Sequence, residues 1–136
     1  MVSQSGWQGG RCPLCAIAQK QESASFVFES GDALAILDIR PVFIGHTLLL
    51  PRRHVQSLEE VDPPLLSRLF GCVQTLALSI EQALEADGTF IALNNKVSQS
   101  IPHLHIHIIP RRKGDGLRGF FWPRRRYDSP EQMEQV

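Results

Sequence analysis

The stretch His103-Leu104-His105-Ile106-His107-Ile108-Ile109-Pro110 alternates imidazole with aliphatic side chains up to Ile108. In an extended chain successive side chains point to opposite faces, with a rise of about 3.3 Å per residue. The spacing therefore predicts a strand over 103–109, ended by Pro110. Its three imidazoles share one face at intervals of about 6.6 Å, and Leu104, Ile106 and Ile108 enter a core on the other. Imidazole titrates near neutral pH, so three charged rings side by side would repel one another. The cluster makes sense around something anionic or metallic, and the alternation alone leaves a phosphate and a metal ion both open.

Upstream, a polar loop over 94–100 separates this strand from a β-prone run, Phe90 to Leu93. Before that comes the clearest helical signal. Asp62-Pro63 reads as a cap followed by a first-turn proline. Leu66, Leu69, Phe70, Val73, Leu76, Ala77, Ile80 and Leu84 then recur at helical spacing, with Gly88 as the expected stop. Cys72 falls within this helix and reads as core. Further upstream, Phe26 to Phe28 and Ala33 to Ile39 read as a hairpin about Ser30-Gly31-Asp32, and Thr47 to Leu50 as a third strand ended by Pro51. Hairpin signals before one long helix and strands after it indicate an α+β fold with an antiparallel sheet.

The 136 residues suit one domain. With 14 basic and 14 acidic side chains the net charge is zero, so no global field draws the chain to nucleic acid or anionic lipid. Apolar runs fall short of the roughly 20 residues that span a bilayer. The polar, Gly-rich start lacks a signal-peptide pattern. A cytoplasmic protein with a flexible tail over residues 1–11 is expected, and three cysteines suit a reducing compartment better than a disulfide framework. Cys12-Pro-Leu-Cys15 has the spacing of half a tetrahedral zinc site, or of a redox pair that would need a thioredoxin-like βαβ context.

These segments together resemble the histidine triad (HIT) family. Residues 103–109 resemble its signature, 37–41 (Leu-Asp-Ile-Arg-Pro) its nucleoside-binding strand end, 45–54 its central strand, and Ser98-Gln99-Ser100 its phosphate-binding turn. The resemblance covers about residues 12 to 116, leaving 117–136 as a C-terminal segment that packs on the domain or on a dimer partner. It implies an antiparallel sheet of about five strands with one long and one short helix. It also implies a nucleotide hydrolase or transferase in which His105 attacks the α-phosphorus and a nucleotidyl-histidine is hydrolysed by water. By the same resemblance His107 and the turn would hold phosphate oxygens, Ser100 would lie near the leaving group, and His46 would support the site. Asp38, with Ile39, would meet the nucleoside, and Asn94, Ser98 and Gln99 are further contacts. One branch of the family carries a structural zinc, whose ligands here would be Cys12, Cys15, His54 and His103. Homodimers are common among such proteins.

The chain departs from the family pattern in its turn. Ser98 stands where a glycine is usual, and the loop from Asn94 to Gln99 is shorter. An alternative to catalysis is a nucleotide-binding or zinc-stabilised interaction module with little turnover. Three aromatics, Phe120-Phe121-Trp122, precede Pro123 and the basic run Arg124 to Arg126. They need cover, either by packing or by bordering the nucleotide pocket, where the arginines would meet phosphate.

Overall fold

The computed structural model describes residues 11–119 and 122–136. Of the expected tail over 1–11 all but Arg11, and the aromatic pair Phe120-Phe121, lie outside the described residues. The elements run α1 (Pro13–Ala18), β1 (Phe26–Glu29), β2 (Ala33–Leu37), β3 (Thr47–Pro51), a 3-10 turn (Leu58–Glu60), α2 (Pro63–Leu84), β4 (Gly88–Ala92), β5 (Ile106–Arg111) and α3 (Pro130–Glu134). The five strands form an antiparallel sheet in the order β1-β2-β3-β5-β4. The α+β architecture is thus the one expected, with a third short helix beyond it.

Strand alternation divides the interior into two layers. Ala33, Ala35, Leu49, Ile106 and Ile108 face α2, where Leu65, Leu69, Val73, Leu76 and Ile80 close the larger core. Leu34, Ile36, Leu48 and Leu50 face the other way and pack with Leu14 of α1 and Ile101. His107 is the register partner of Leu48 and of Ala92, so it belongs to the α1 side of the sheet.

The structure corrects three boundaries. The first is β5, which begins at Ile106, so His103 and His105 precede it, and it runs through Pro110 to Arg111. The three histidines therefore do not form one row: His103 turns toward the cysteines, and only His105 and His107 stay together. Pro110 is tolerated because β3 pairs only with Ile106 to Ile108. Beyond that point β5 has β4 as its one neighbour, and a missing N–H breaks no ladder on the open side.

The second correction is the helix stop. Asp62 caps α2 as expected, its Oδ1 accepting from the Leu65 amide at 2.9 Å. The helix ends at Leu84, however, with Glu85 in the left-handed conformation (φ 53°), and Gly88 opens β4 instead. Pairing decides this. The Asp87 amide donates to the Arg111 carbonyl and Gly88 pairs with Arg111, so the chain must turn before the glycine. The Arg112 guanidinium also satisfies the Leu84 carbonyl at the helix end.

The third correction is β2, which stops at Leu37 rather than Ile39. Asp38 Oδ1 accepts from the Arg40 amide at 2.9 Å, a local turn that takes the chain out of the ladder. Gly45, at φ 99°, then leads into His46. A Cβ there would strike the Leu84 side chain and touch Pro110, so glycine is required both for conformation and for space. Cys72 is half-buried against the α2 core, as its place in the helix suggested.

Candidate active site and metal centre

His105 is buried at the entry to β5, and its Nδ1 lies 2.7 Å from the His103 carbonyl oxygen. A carbonyl only accepts, so Nδ1 carries the proton and Nε2 keeps its lone pair. Burial lowers the pKa of His105 against the opposing effects of the His103 carbonyl and Asp38. A neutral ring with a bare Nε2 is the form a nucleophile needs.

The neighbouring rings are fixed in the same way. The Val42 amide donates to His46 Nδ1 at 3.2 Å, which puts the His46 proton on Nε2. Nε2 lies 2.9 Å from His107 Nδ1, which must then accept, leaving His107 with its own proton on Nε2. One main-chain amide thereby propagates through two rings and leaves an N–H donor beside the nucleophile. The rings of His105 and His107 are 5.1 Å apart. Burial, then the proximity of His105 and His46, lowers His107 to about 4. His46 is lowered first by burial, with the buried Asp38 carboxylate 3.8 Å from Nε2 opposing. All three rings are therefore neutral at pH 7.

The expected turn lies between β4 and β5. Ser98 has φ 61° and Lys96 φ 73°, so this tighter loop uses left-handed backbone without the glycine that favours it. Gln99 does not offer its side chain to a ligand: Nε2 donates to the Gln56 carbonyl at 2.6 Å. Ser100 and Asn94 are half-buried in this loop. Asp38 is buried and spends one oxygen on the Arg40 amide, while Ile39 stays 70 % exposed.

Ile39 lines a cavity of about 670 Å³ with Leu14, Ile17, Leu37, Leu48 and Ile101. Arg11, Glu22 and Ser23 also line it. Leu48 carries both this cavity and the register contact to His107, so pocket and histidines occupy the same face of the sheet. Neither the pocket nor the Val42 amide was legible in the sequence. Both depend on where α1 and the 38–46 loop come to rest.

The second cluster is the one expected of a metal centre. Cys12, Cys15, His54 and His103 place one ligand atom each within 4.8 Å of one another. Cys15 Sγ is 3.2 Å from His54 Nδ1, and His103 Nδ1 is 3.4 Å from Cys12 Sγ and 3.5 Å from Cys15 Sγ. A tetrahedral zinc with bonds of about 2.3 Å to sulfur and about 2.05 Å to nitrogen has S···N edges of about 3.5 Å. The donor set fits. His103 Nε2 lies 2.8 Å from the Pro51 carbonyl, which fixes its proton there and frees Nδ1 for the metal side. Burial lowers His103 to about 4 despite that bond, so the ring is neutral, as a ligand must be. Burial, then Cys12, raises the Cys15 thiol to about 11, so Cys15 ionises near neutral pH only beside a cation. The Asp38, His46 and His107 atoms also lie within 4.8 Å of one another, but there His46 and His107 are hydrogen-bonded to each other and Asp38 lies 3.8 Å from His46 Nε2.

A HIT domain model matches residues 19–114. The chain belongs to the HIT family. An uncharacterised HIT-like protein of Mycobacterium tuberculosis is 40% identical over 108 residues, covering 78% of this chain and 75% of that one. The adenylylsulfatase HINT3 of Arabidopsis thaliana is 33% identical over 108 residues, 78% of this chain and 55% of its own. The asymmetrical bis(5'-nucleosyl)-tetraphosphatase of Schizosaccharomyces pombe is 36% identical over 83 residues, 60% of this chain and 46% of its own. Among solved structures, a HIT protein of Bacillus subtilis superposes with TM-score 0.82 at 35% identity, covering 93% of this chain and 92% of that one. A zinc-bound HIT protein of Mycobacterium smegmatis gives 0.75 at 36% identity, covering 90% and 88%. Some HIT proteins similar to this chain are thus nucleotide hydrolases, and one similar structure holds zinc. No helix among the described residues is long and apolar enough to cross a membrane.

Proposed function

We propose that this HIT protein is a hydrolase or transferase acting at the α-phosphate of nucleoside phosphoramidates, dinucleoside polyphosphates or similar nucleotides. One observation carries the reading: a buried His105 whose Nδ1–H is committed to the His103 carbonyl, so that Nε2 keeps its lone pair on a ring beside the His107 donor. His105 Nε2 attacks the α-phosphorus as the bond to the leaving group breaks. Water then attacks the nucleotidyl-histidine, releasing a nucleoside monophosphate and restoring the ring. The His107 Nε2–H and the amides of Ser98, Gln99 and Ser100 stabilise the charge that develops on the phosphate oxygens. Ser100 lies near the leaving group, and His46 keeps His107 in its donating tautomer. The base enters the apolar cavity beside Ile39, and Asp38 accepts from the ribose hydroxyls, with Asn94 a further contact. A metal on Cys12, Cys15, His54 and His103 is structural, because four protein ligands leave no open position.

The test is a screen of adenosine phosphoramidate, adenylyl sulfate and dinucleoside polyphosphates, with mass spectrometry of acid-quenched enzyme. The expected adduct adds one nucleoside monophosphate at His105. Tight nucleotide binding with neither turnover nor adduct would assign the chain to a binding module instead.

A further inference from the structure

The metal-ligand cluster and the nucleophile share main chain. The carbonyl that holds His105 Nδ1 belongs to His103, whose ring reaches the cysteines. His103 Nε2 is tied to Pro51 at the end of β3, and the Leu104 amide donates to Val55, the residue after His54, at 2.8 Å. The segment that continues from His54 in turn carries the loop before His105. The Gln56 carbonyl accepts from Gln99, the Leu58 amide donates to Asn95 Oδ1 at 2.8 Å, and Glu59 accepts from Asn95 Nδ2 and pairs with Lys96. Two backbone positions in that loop are left-handed without glycine, a conformation that persists only where surroundings enforce it.

We propose that His54–Glu60 and His103 form a brace, anchored by a metal ion on Cys12, Cys15, His54 and His103, that positions both His105 and the 95–100 turn. The centre is then more than a staple for α1: its ligands fix the carbonyl that orients the nucleophile and the segment that shapes the turn. His54 is the exposed ligand, so it is the member most easily released without disturbing the core. Gln99 and Asn95 act as positioning residues at the far end.

The experiment compares zinc-loaded, chelator-treated and zinc-reloaded full-length protein, together with His54→Gln, below the melting temperature of each form. Metal content is measured first. Imidazole nitrogen–proton NMR then follows the His105 Nδ1–H, which a bond to a carbonyl protects from exchange. Metal loss should speed its exchange at least about tenfold, and reloading should restore it. Turnover of adenosine phosphoramidate rests on the proposed function and is read separately. Its kcat should fall with the metal, whereas Gln99→Ala with Asn95→Ala should raise KM several-fold at unchanged zinc content and unchanged His105 exchange. A folded metal-free protein with the same protected His105 proton would overturn the brace, as would an unaltered KM in the double variant. Unfolding of both metal-free forms would also overturn it, since the centre would then be inseparable from the fold. Absence of phosphoramidate turnover in the loaded protein would sink the enzymatic reading but leave the NMR result to decide the brace.

Discussion

The protonation pattern of the site is set by single contacts. His46 has its proton on Nε2 because Val42 donates to Nδ1, and His107 follows from His46. His46→Ala should therefore cost kcat more than KM, because His107 loses the partner that fixes its donor. His105→Ala should abolish turnover, by at least about 10³-fold, and leave nucleotide binding measurable by calorimetry. Wild-type nucleotidyl transfer surviving in that variant would remove His105 as nucleophile. The same burial that keeps the rings neutral makes the fold acid-sensitive. A histidine free in the unfolded chain titrates near 6.5, whereas His107 in the fold is lowered to about 4. Between those values the unfolded state binds the extra proton, so stability is full above about 6.5 and is lost as pH falls toward 4. Urea melts of zinc-loaded protein across that range should show the midpoint falling, and a flat midpoint would contradict the burial of His107. The histidine identities were legible from their alternation. Their tautomers were not, since each is decided by a main-chain group distant in sequence.

At the level of elements, local signals located the pieces and pairing trimmed them. Asp62-Pro63 started α2 where its capping chemistry says it should. Its end was set by β4 reaching for β5, which forces Glu85 into a left-handed conformation that a side chain disfavours. Glu85→Gly should stabilise the protein by about 1 kcal/mol, raising its melting temperature by a few degrees. Differential scanning calorimetry checks this, and a lower melting temperature would show that the Glu85 side chain contributes something the backbone argument omits. Gly45 is the opposite case. Gly45→Ala must displace Leu84 or Pro110, so a clear loss of stability is expected, with His46 displaced as the 45–46 link shifts. The usual family glycine is absent at Ser98, yet φ there is still positive. The left-handed backbone occurs here without a glycine, and only the folded loop could show it.

For the whole molecule, the sheet order leaves β4 at an edge, with Ile91 exposed there and Phe70 and Leu78 exposed on α2. An edge with no further strand among the described residues invites a second chain. A homodimer through β4 and α2 is the expected assembly, and a monomer mass in light scattering at micromolar concentration would count against it. The C-terminal segment is the other exposed surface. Trp122 and Tyr127 are each 55 % exposed among the described residues. A chain ending at Arg118 should change relative rates among leaving groups at constant zinc content if the tail borders the pocket, and should lower all rates together if it only packs. Much of the rest was written locally. Alternation, caps and turn residues act over a few positions, so the sequence by itself determined the antiparallel α+β class, the long helix and the histidine-bearing segment, while the four candidate metal ligands came from the family resemblance. The tertiary structure alone decided that His103 leaves the row of its neighbours for the cysteines, that β5 runs through Pro110, that the Gln99 side chain is tied to the Gln56 carbonyl, and that a cavity of about 670 Å³ opens beside α1. Each of these depends on contacts between residues tens of positions apart, formed only when the sheet closes and the two cores compete for the same chain.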